Sequence, residues 1–213
     1  MFGGSFNPIH LGHLLVASDV CEQLALDQVL FVPAAAPPHK PAADLAPAAD
    51  RLEMTHLAVA AHPRFAVSDL EMSRPGSSYT VDTLRALAER GDALHLLIGS
   101  ETFLELPGWR APREIASLAR LVVVPRAGAG FDPAGAAARA VLDELGLAPF
   151  RRDASGPARA PVLVDAASLP ISASDLRRRA REGRSLAYRM PDAVIGYMRR
   201  QGLYQAPAPS EVR

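Results

Sequence analysis

MFGGSFNPIHLGHLL, residues 1–15, places two glycines, an Asn-Pro turn and two histidines ahead of the first long apolar helix pattern. Paired glycines weaken a strand or helix, because glycine gives up the most backbone entropy and packs nothing. They are tolerated where the chain must turn tightly or approach something bulky. After them, His10-Leu-Gly-His13 leads into LLVASDVCEQLAL, whose apolar residues recur at helical spacing. The stretch therefore reads as strand end, glycine turn and helix N-terminus, the place where an α/β protein holds a phosphate.

Outward from this turn, short β-like runs alternate with helical patterns: DQVLFVP, RLEMTHLAVAAH, FAVSDLEM, TVDTLRALAER, ALHLLIGS, ASLARLVVVPR, AAARAVLDELG and APVLVD. VLFVP, LHLLIG and LVVVP are nearly all apolar, as parallel strands covered on both faces should be. The expected fold class is α/β, a Rossmann-like, doubly wound, mostly parallel sheet with helices on both faces. Residues 1–205 read as one domain and 206–213, APAPSEVR, as a flexible tail. The Pro- and Ala-rich stretch 33–50 reads as a loop, and 126–135 and 148–161 as connectors. Ser172 is placed to cap a helix with Asp175 three residues on, and Pro191 suits the first turn of the next.

The chain has 213 residues, 49% of them hydrophobic, and a formal net charge of zero, which gives no electrostatic case for a nucleic-acid or acidic-membrane partner. Cys21 is the sole cysteine, so no disulfide framework or thiolate cluster is available, and it reads as a small buried hydrophobe. No signal segment and no long apolar run is present, so a cytoplasmic setting without a membrane partner is expected. Lys40 is the single lysine among abundant arginines.

Two stretches carry chemistry. Gly3 and Gly4 let the backbone approach a polyphosphate, with the amides that follow as donors. His10 and His13, three apart at a helix start, share a face and the positive end of the helix dipole. Gly12 between them leaves room for a flat base. The spacing matches neither a Walker A loop nor G-x-G-x-x-G; a two-histidine metal site is the weaker alternative, since no third ligand lies nearby in the sequence and i, i+3 spacing alone is a weak signal. In ISASDLRRRA, residues 171–180, Ser172 and Ser174 open a helix with Arg177 one turn later, a set able to hold the far phosphates of a nucleotide.

Together, GGSFNPIHLGHL and ISASDLR resemble the nucleotidylyltransferase superfamily, with its H-x-G-H and I-S-x-T/S-x-x-R signatures. VPAAAPPHKP, SSYTVDTL, IGSETFLELPGW, VVVPR and VIGYMRRQGLY follow in family order. Within the superfamily the chain resembles the bacterial nicotinate-nucleotide adenylyltransferases over nearly its whole length. The resemblance implies transfer of the adenylyl group of ATP to nicotinate mononucleotide, with Mg²⁺, releasing pyrophosphate. It implies catalytic roles for His10, His13, Lys40 and Arg177. It implies ATP contacts from Gly3, Gly4, Ser5, Phe6, Gly12, Gly99, Glu101, Arg126, Ile171, Ser172 and Ser174. Contacts to nicotinate mononucleotide fall to His39, Thr80, Val81, Trp109 and Arg110, with the Trp109 ring under the pyridine. Asn7 and Glu101 stand where the family commonly has aspartate. A phosphopantetheine adenylyltransferase-like enzyme and a non-catalytic ATP-binding module are the alternative readings, and a homo-oligomer stays open.

The first strand raises a separate expectation. Strands commonly run about 5–6 residues, yet only Met1 and Phe2 precede Gly3. Further strand residues upstream of Met1 are expected, the alternative being a stub of Met1 to Gly3 that completes just enough of the ladder.

Overall fold

The computed structural model describes residues 1–38, 41, 45–126, 128 and 130–205. Among these, six parallel strands form the centre. β1 (Phe2–Gly4) pairs with β2 (Val29–Pro33), and β2 with β3 (Phe65–Val67). β4 (His95–Gly99) pairs with β5 (Arg120–Val124), and β5 with β6 (Val162–Leu163). Met1 joins the two halves: its ammonium donates to His95 O at 2.7 Å, and its carbonyl accepts from Leu97 N at 3.0 Å. The resulting order, β3-β2-β1-β4-β5-β6, reverses direction between β1 and β4, as in a doubly wound Rossmann-like sheet. Met1–Gly4 thus pairs with β2 on one side and β4 on the other.

The apolar strand runs behave as their composition demands. Along β4 and β5, Leu96, Ile98, Leu121 and Val123 enter one core and Leu97, Val122 and Val124 enter another. The period of two sends successive side chains to opposite faces, and helices cover both. The first core is closed by α3 (Thr80–Ala88), α4 (Ser100–Glu105), α5 (Pro112–Leu118) and α6 (Ala136–Leu145). α1 (Leu11–Gln23) covers the other face with Val20. Around β2, Phe31 meets the rings of Phe2, Phe6 and Phe65 at centroid distances of 5.5, 5.8 and 5.2 Å. Residues of α1, α2 (Ala48–Val59), α7 (Ala173–Arg181) and α8 (Asp192–Arg200) close that cluster, Cys21 among them and fully buried.

Several boundaries differ from the sequence reading. The loop expected over 33–50 is shorter, because Pro33 ends β2 and residues 48–50 already open α2. α4 and α5, of six and seven residues, were not singled out by periodicity, since so short a run shows barely two apolar repeats. Ser172 caps α7, its Oγ accepting from Asp175 N at 3.2 Å. Pro191 lies one position before the first helical residue of α8 rather than within its first turn. The tail 206–213 lies outside the described residues.

Candidate active site

A cleft of about 550 Å³ opens at the carboxyl ends of β1 and β4, where the strand order reverses. Four stretches wall it: Phe2–Asn7 with the start of α1, Leu97–Thr102, Val124–Arg126, and residues 166–174. Gly3, Gly4, Ser5, Phe6, His10, Gly12, His13, Gly99, Glu101, Arg126, Ile171, Ser172 and Ser174, expected from sequence to meet a nucleotide, all line it. Residues about 160 positions apart in the chain are brought face to face by the sheet.

The turn after β1 is built by side chains folding back on glycine. A Cβ on Gly4 would stand 3.3 Å from the Phe6 ring, and one on Gly12 would stand 3.1 Å from the His10 imidazole. The space beside Gly12, expected to admit a flat base, is therefore taken in part by His10. Phe6 adopts φ +40°, in the left-handed region that a bulky residue rarely enters, and Asn7-Pro8 is cis.

His10 is the N-cap of α1 and only 7% exposed. Its imidazole stacks on that of His13, with centroids 3.7 Å apart and planes at 24°. Its backbone nitrogen donates to His13 Nδ1 at 3.2 Å. With Nδ1 accepting, the neutral tautomer of His13 carries its proton on Nε2. The His13 amide is taken by His10 O at 2.9 Å, and His10 Nδ1 is buried without a hydrogen-bond partner among the described residues. Burial, and then the charge of Arg126, hold the His10 pKa down at about 4, so the imidazole is neutral near pH 7. At the cleft mouth Arg126 Nη1 lies 3.5 Å from Glu101 Oε2, both side chains well exposed. Ser100 Oγ, next in the chain to Glu101, is buried and also unpartnered among the described residues.

Arg177 does not line this cleft. Its Nη1 donates to Asn7 O at 2.8 Å, behind the glycine turn, and it borders a separate depression with Arg181 and Tyr204. The nicotinate-side residues also lie apart from the cleft wall. Thr80 and Val81 open α3, but the Val81 side chain is fully buried in the core, leaving only its backbone to face a ligand. Arg110 crosses to α3, 4.7 Å from the centre of the Tyr79 ring and 3.8 Å from Asp82. Trp109, half-buried, packs on the same core. Reciprocal bonds, Ala36 N to Ser78 Oγ at 3.2 Å and Ser78 N to Ala36 O at 3.0 Å, join this corner to the segment after β2. His39 and Lys40 lie outside the described residues.

Two supporting groups escaped the sequence reading. Asn7 Oδ1 accepts from Ala46 N at 3.0 Å and from Tyr204 OH at 2.5 Å, so an asparagine read only as a turn former ties three segments together. Arg51, 1% exposed, directs its guanidinium to backbone carbonyls under the turn. In DRLEM it has the pattern of an ordinary helix-surface charge, and no local signal marks it.

Residues 1–179 match the cytidylyltransferase-like family model. Curated relatives named probable nicotinate-nucleotide adenylyltransferase include one from Synechococcus sp. (strain JA-3-3Ab), 44% identical over 97% of this chain and 94% of its own length. Another, from Thermus thermophilus, is 43% identical over 96% of this chain and 98% of its own. Among solved structures, the Plasmodium falciparum nicotinic acid mononucleotide adenylyltransferase complexed with NaAD superimposes with a TM-score of 0.73. It covers 95% of each chain at 17% identity, a likeness of fold.

Proposed function

The chain belongs to the cytidylyltransferase-like family, and within it to the nicotinate-nucleotide adenylyltransferases, and from that premise we propose how its cleft carries out the reaction. The protein transfers the adenylyl group of ATP to nicotinate mononucleotide, giving nicotinate adenine dinucleotide and pyrophosphate. The observation that carries the mechanism is the meeting of His10 and His13 with the Ser172 end of α7 across one cleft.

The nucleophile is a phosphate oxygen of nicotinate mononucleotide, already ionised at neutral pH, so no general base is required. It attacks the α-phosphorus of ATP in line, and the bond to the bridging oxygen of pyrophosphate breaks. Catalysis then rests on holding two anions in register and stabilising the charge that gathers on the leaving group. His13, with its proton on Nε2, donates to phosphate oxygen from the positive end of α1. Ser172 and Ser174 receive the far phosphates at the start of α7, and Glu101 and Arg126 meet the adenosine at the cleft mouth. Thr80, Val81, Trp109 and Arg110 form the nicotinate corner, with His39 and Lys40 completing the site.

A divalent cation, Mg²⁺ in our reading, suits this donor set only as a passenger of the nucleotide. Among the described residues no three His, Cys, Asp or Glu side chains are grouped to hold a metal, and Glu101 is the one acid on the cleft wall. Mg²⁺ prefers phosphate and water oxygens over imidazole. When bound it neutralises charge on the polyphosphate. No helix among the described residues is long and apolar enough to cross a membrane; the enzyme of our reading is cytoplasmic, with a nucleotidylyltransferase unit over 1–205.

Pyrophosphate release by the purified protein, with ATP and Mg²⁺ and each acceptor in turn, tests the reading. Release is expected with nicotinate mononucleotide. Release with phosphopantetheine alone, or ATP binding with no release for any acceptor, would overturn it.

A further inference from the structure

Arg51 sits in the first turns of α2, with its backbone nitrogen bonded to Pro47 O at 3.1 Å and its carbonyl accepting from Thr55 Oγ1 at 2.7 Å. From this fixed base the guanidinium donates four hydrogen bonds, all to backbone carbonyls. Nη1 reaches Ser5 O at 2.8 Å and Ala34 O at 2.6 Å, Nη2 reaches Ala35 O at 2.9 Å, and Nε reaches Ala46 O at 2.9 Å. Among the described residues no carboxylate is bonded to it. Burial lowers its pKa, while Tyr204 and Glu71 act on it only through space.

A cation buried on carbonyls alone is an expensive way to stabilise a fold, since well-packed apolar residues of similar volume often serve as well or better. What a planar guanidinium adds is direction: it fixes several acceptors in one geometry. Here the acceptors belong to three backbone stretches, one of them the phosphate turn itself. A trans peptide is planar, so its carbonyl and the next N–H point in opposite directions. Holding Ser5 O under the turn therefore holds the Phe6 N–H on the other side, where Ser5 and Phe6 line the cleft. Two further observations agree. Phe6 keeps φ +40°, a conformation that persists only where its surroundings impose it. The Phe6 amide also has no acceptor among the described residues, although the residue is 2% exposed.

We propose that Arg51 is a positioning residue that clamps the Ser5–Phe6 peptide plane so that the Phe6 amide is aimed at the nucleotide's polyphosphate. The proposal rests on the adenylyl-transfer reading of the cleft. The same guanidinium ties the turn to both ends of the 34–46 segment, and Asn7 Oδ1 completes the tie through Ala46 N. The turn and the base of that segment therefore form one rigid support. An amide held in place before the reaction stabilises developing phosphate charge without reorganising, so its loss acts on kcat.

The test uses the ¹⁵N-labelled full chain with α,β-methylene-ATP as the probe. In the wild type the Phe6 amide proton should move downfield on binding. In folded Arg51→Lys that response should be lost and kcat should fall by about 10²-fold, the scale for one lost oxyanion donor, while KM for nicotinate mononucleotide stays nearly unchanged. A silent Phe6 amide in the wild type, or folded Arg51→Lys with normal kcat or an intact Phe6 response, would overturn the proposal. Should Arg51→Lys not fold, the wild-type Phe6 amide without nucleotide decides: a ¹⁵N order parameter already at the rigid-backbone level supports the clamp, and an amide that becomes ordered only when the analogue binds refutes it. Pyrophosphate release by the wild type tests the underlying reading separately. If release fails while Phe6 responds to the analogue, the reading falls and the clamp stands.

Discussion

The imidazole of His10 lies nearly flat on that of His13, 3.7 Å between centroids, while the His10 backbone nitrogen donates to His13 Nδ1 at 3.2 Å. One residue thus fixes both the plane and the tautomer of the other. Phe2 and Phe6 meet the His13 ring edgewise, at 6.0 and 5.2 Å, and complete its seat.

With its tautomer set, His13 is expected to act through Nε2–H. His13→Ala should lower kcat by roughly 10²–10³-fold, equivalent to about 3–4 kcal/mol of charge stabilisation, with the fold intact by circular dichroism. His13→Gln, whose amide comes closest to Nε2, should retain more activity than His13→Asn. Near-normal turnover in folded His13→Ala would remove that residue from the mechanism.

The buried His10 makes stability depend on pH in a defined window. Its folded pKa is about 4 against an ordinary 6.5. Below pH 6.5 the unfolded chain takes up a proton that the folded chain refuses. The native state therefore loses stability from His10 as pH falls from 6.5 toward 4, by about 3 kcal/mol in all, and is unaffected above 6.5. Urea unfolding at a series of pH values should show the wild type losing stability relative to His10→Asn across this window, with a constant difference above it. Nucleotide phosphates favour the imidazolium, so ATP binding in this window should take up a proton, measurable by calorimetry in buffers of different ionisation enthalpy.

Arg177 is expected to act through the turn, since its guanidinium is bonded to Asn7 O at 2.8 Å. A hydrogen bond from a charged donor is worth about 1.5–3 kcal/mol. Arg177→Ala should therefore slow turnover by about 10- to 100-fold, with Arg177→Lys between it and the wild type. Unchanged kcat and KM in Arg177→Ala would show that this contact has no part in the reaction.

Trp109→Ala should weaken nicotinate mononucleotide and spare ATP. A stacking contact is worth roughly 0.5–1.5 kcal/mol, and because it exists before and during the reaction its loss falls on KM. Trp109 is half-buried against the α3–α6 core, so a modest drop in the unfolding midpoint should accompany it. Equal KM changes for both substrates would assign the residue to packing alone.

Amino-acid order by itself determined what is local. The glycine turn, the helix opening at His10, the apolar runs of β2, β4 and β5 and the Ser172 cap each depend on neighbours within a few residues, and each was legible as a pattern. Glycine pairs, period-two burial and side-chain caps are properties of short segments, so they survive without knowledge of the rest of the chain. Tertiary structure alone decided the remainder. It placed Met1 and Phe2 between β2 and β4, turned Arg51 inward beneath Ser5, set Arg177 behind the turn instead of in the cleft, and buried Val81 in the core. The same helical charge pattern suits a guanidinium in water or one under a loop. Which it becomes depends on carbonyls supplied by Ser5, Ala34, Ala35 and Ala46, groups that every residue carries and that only the packing of distant segments aims at one point.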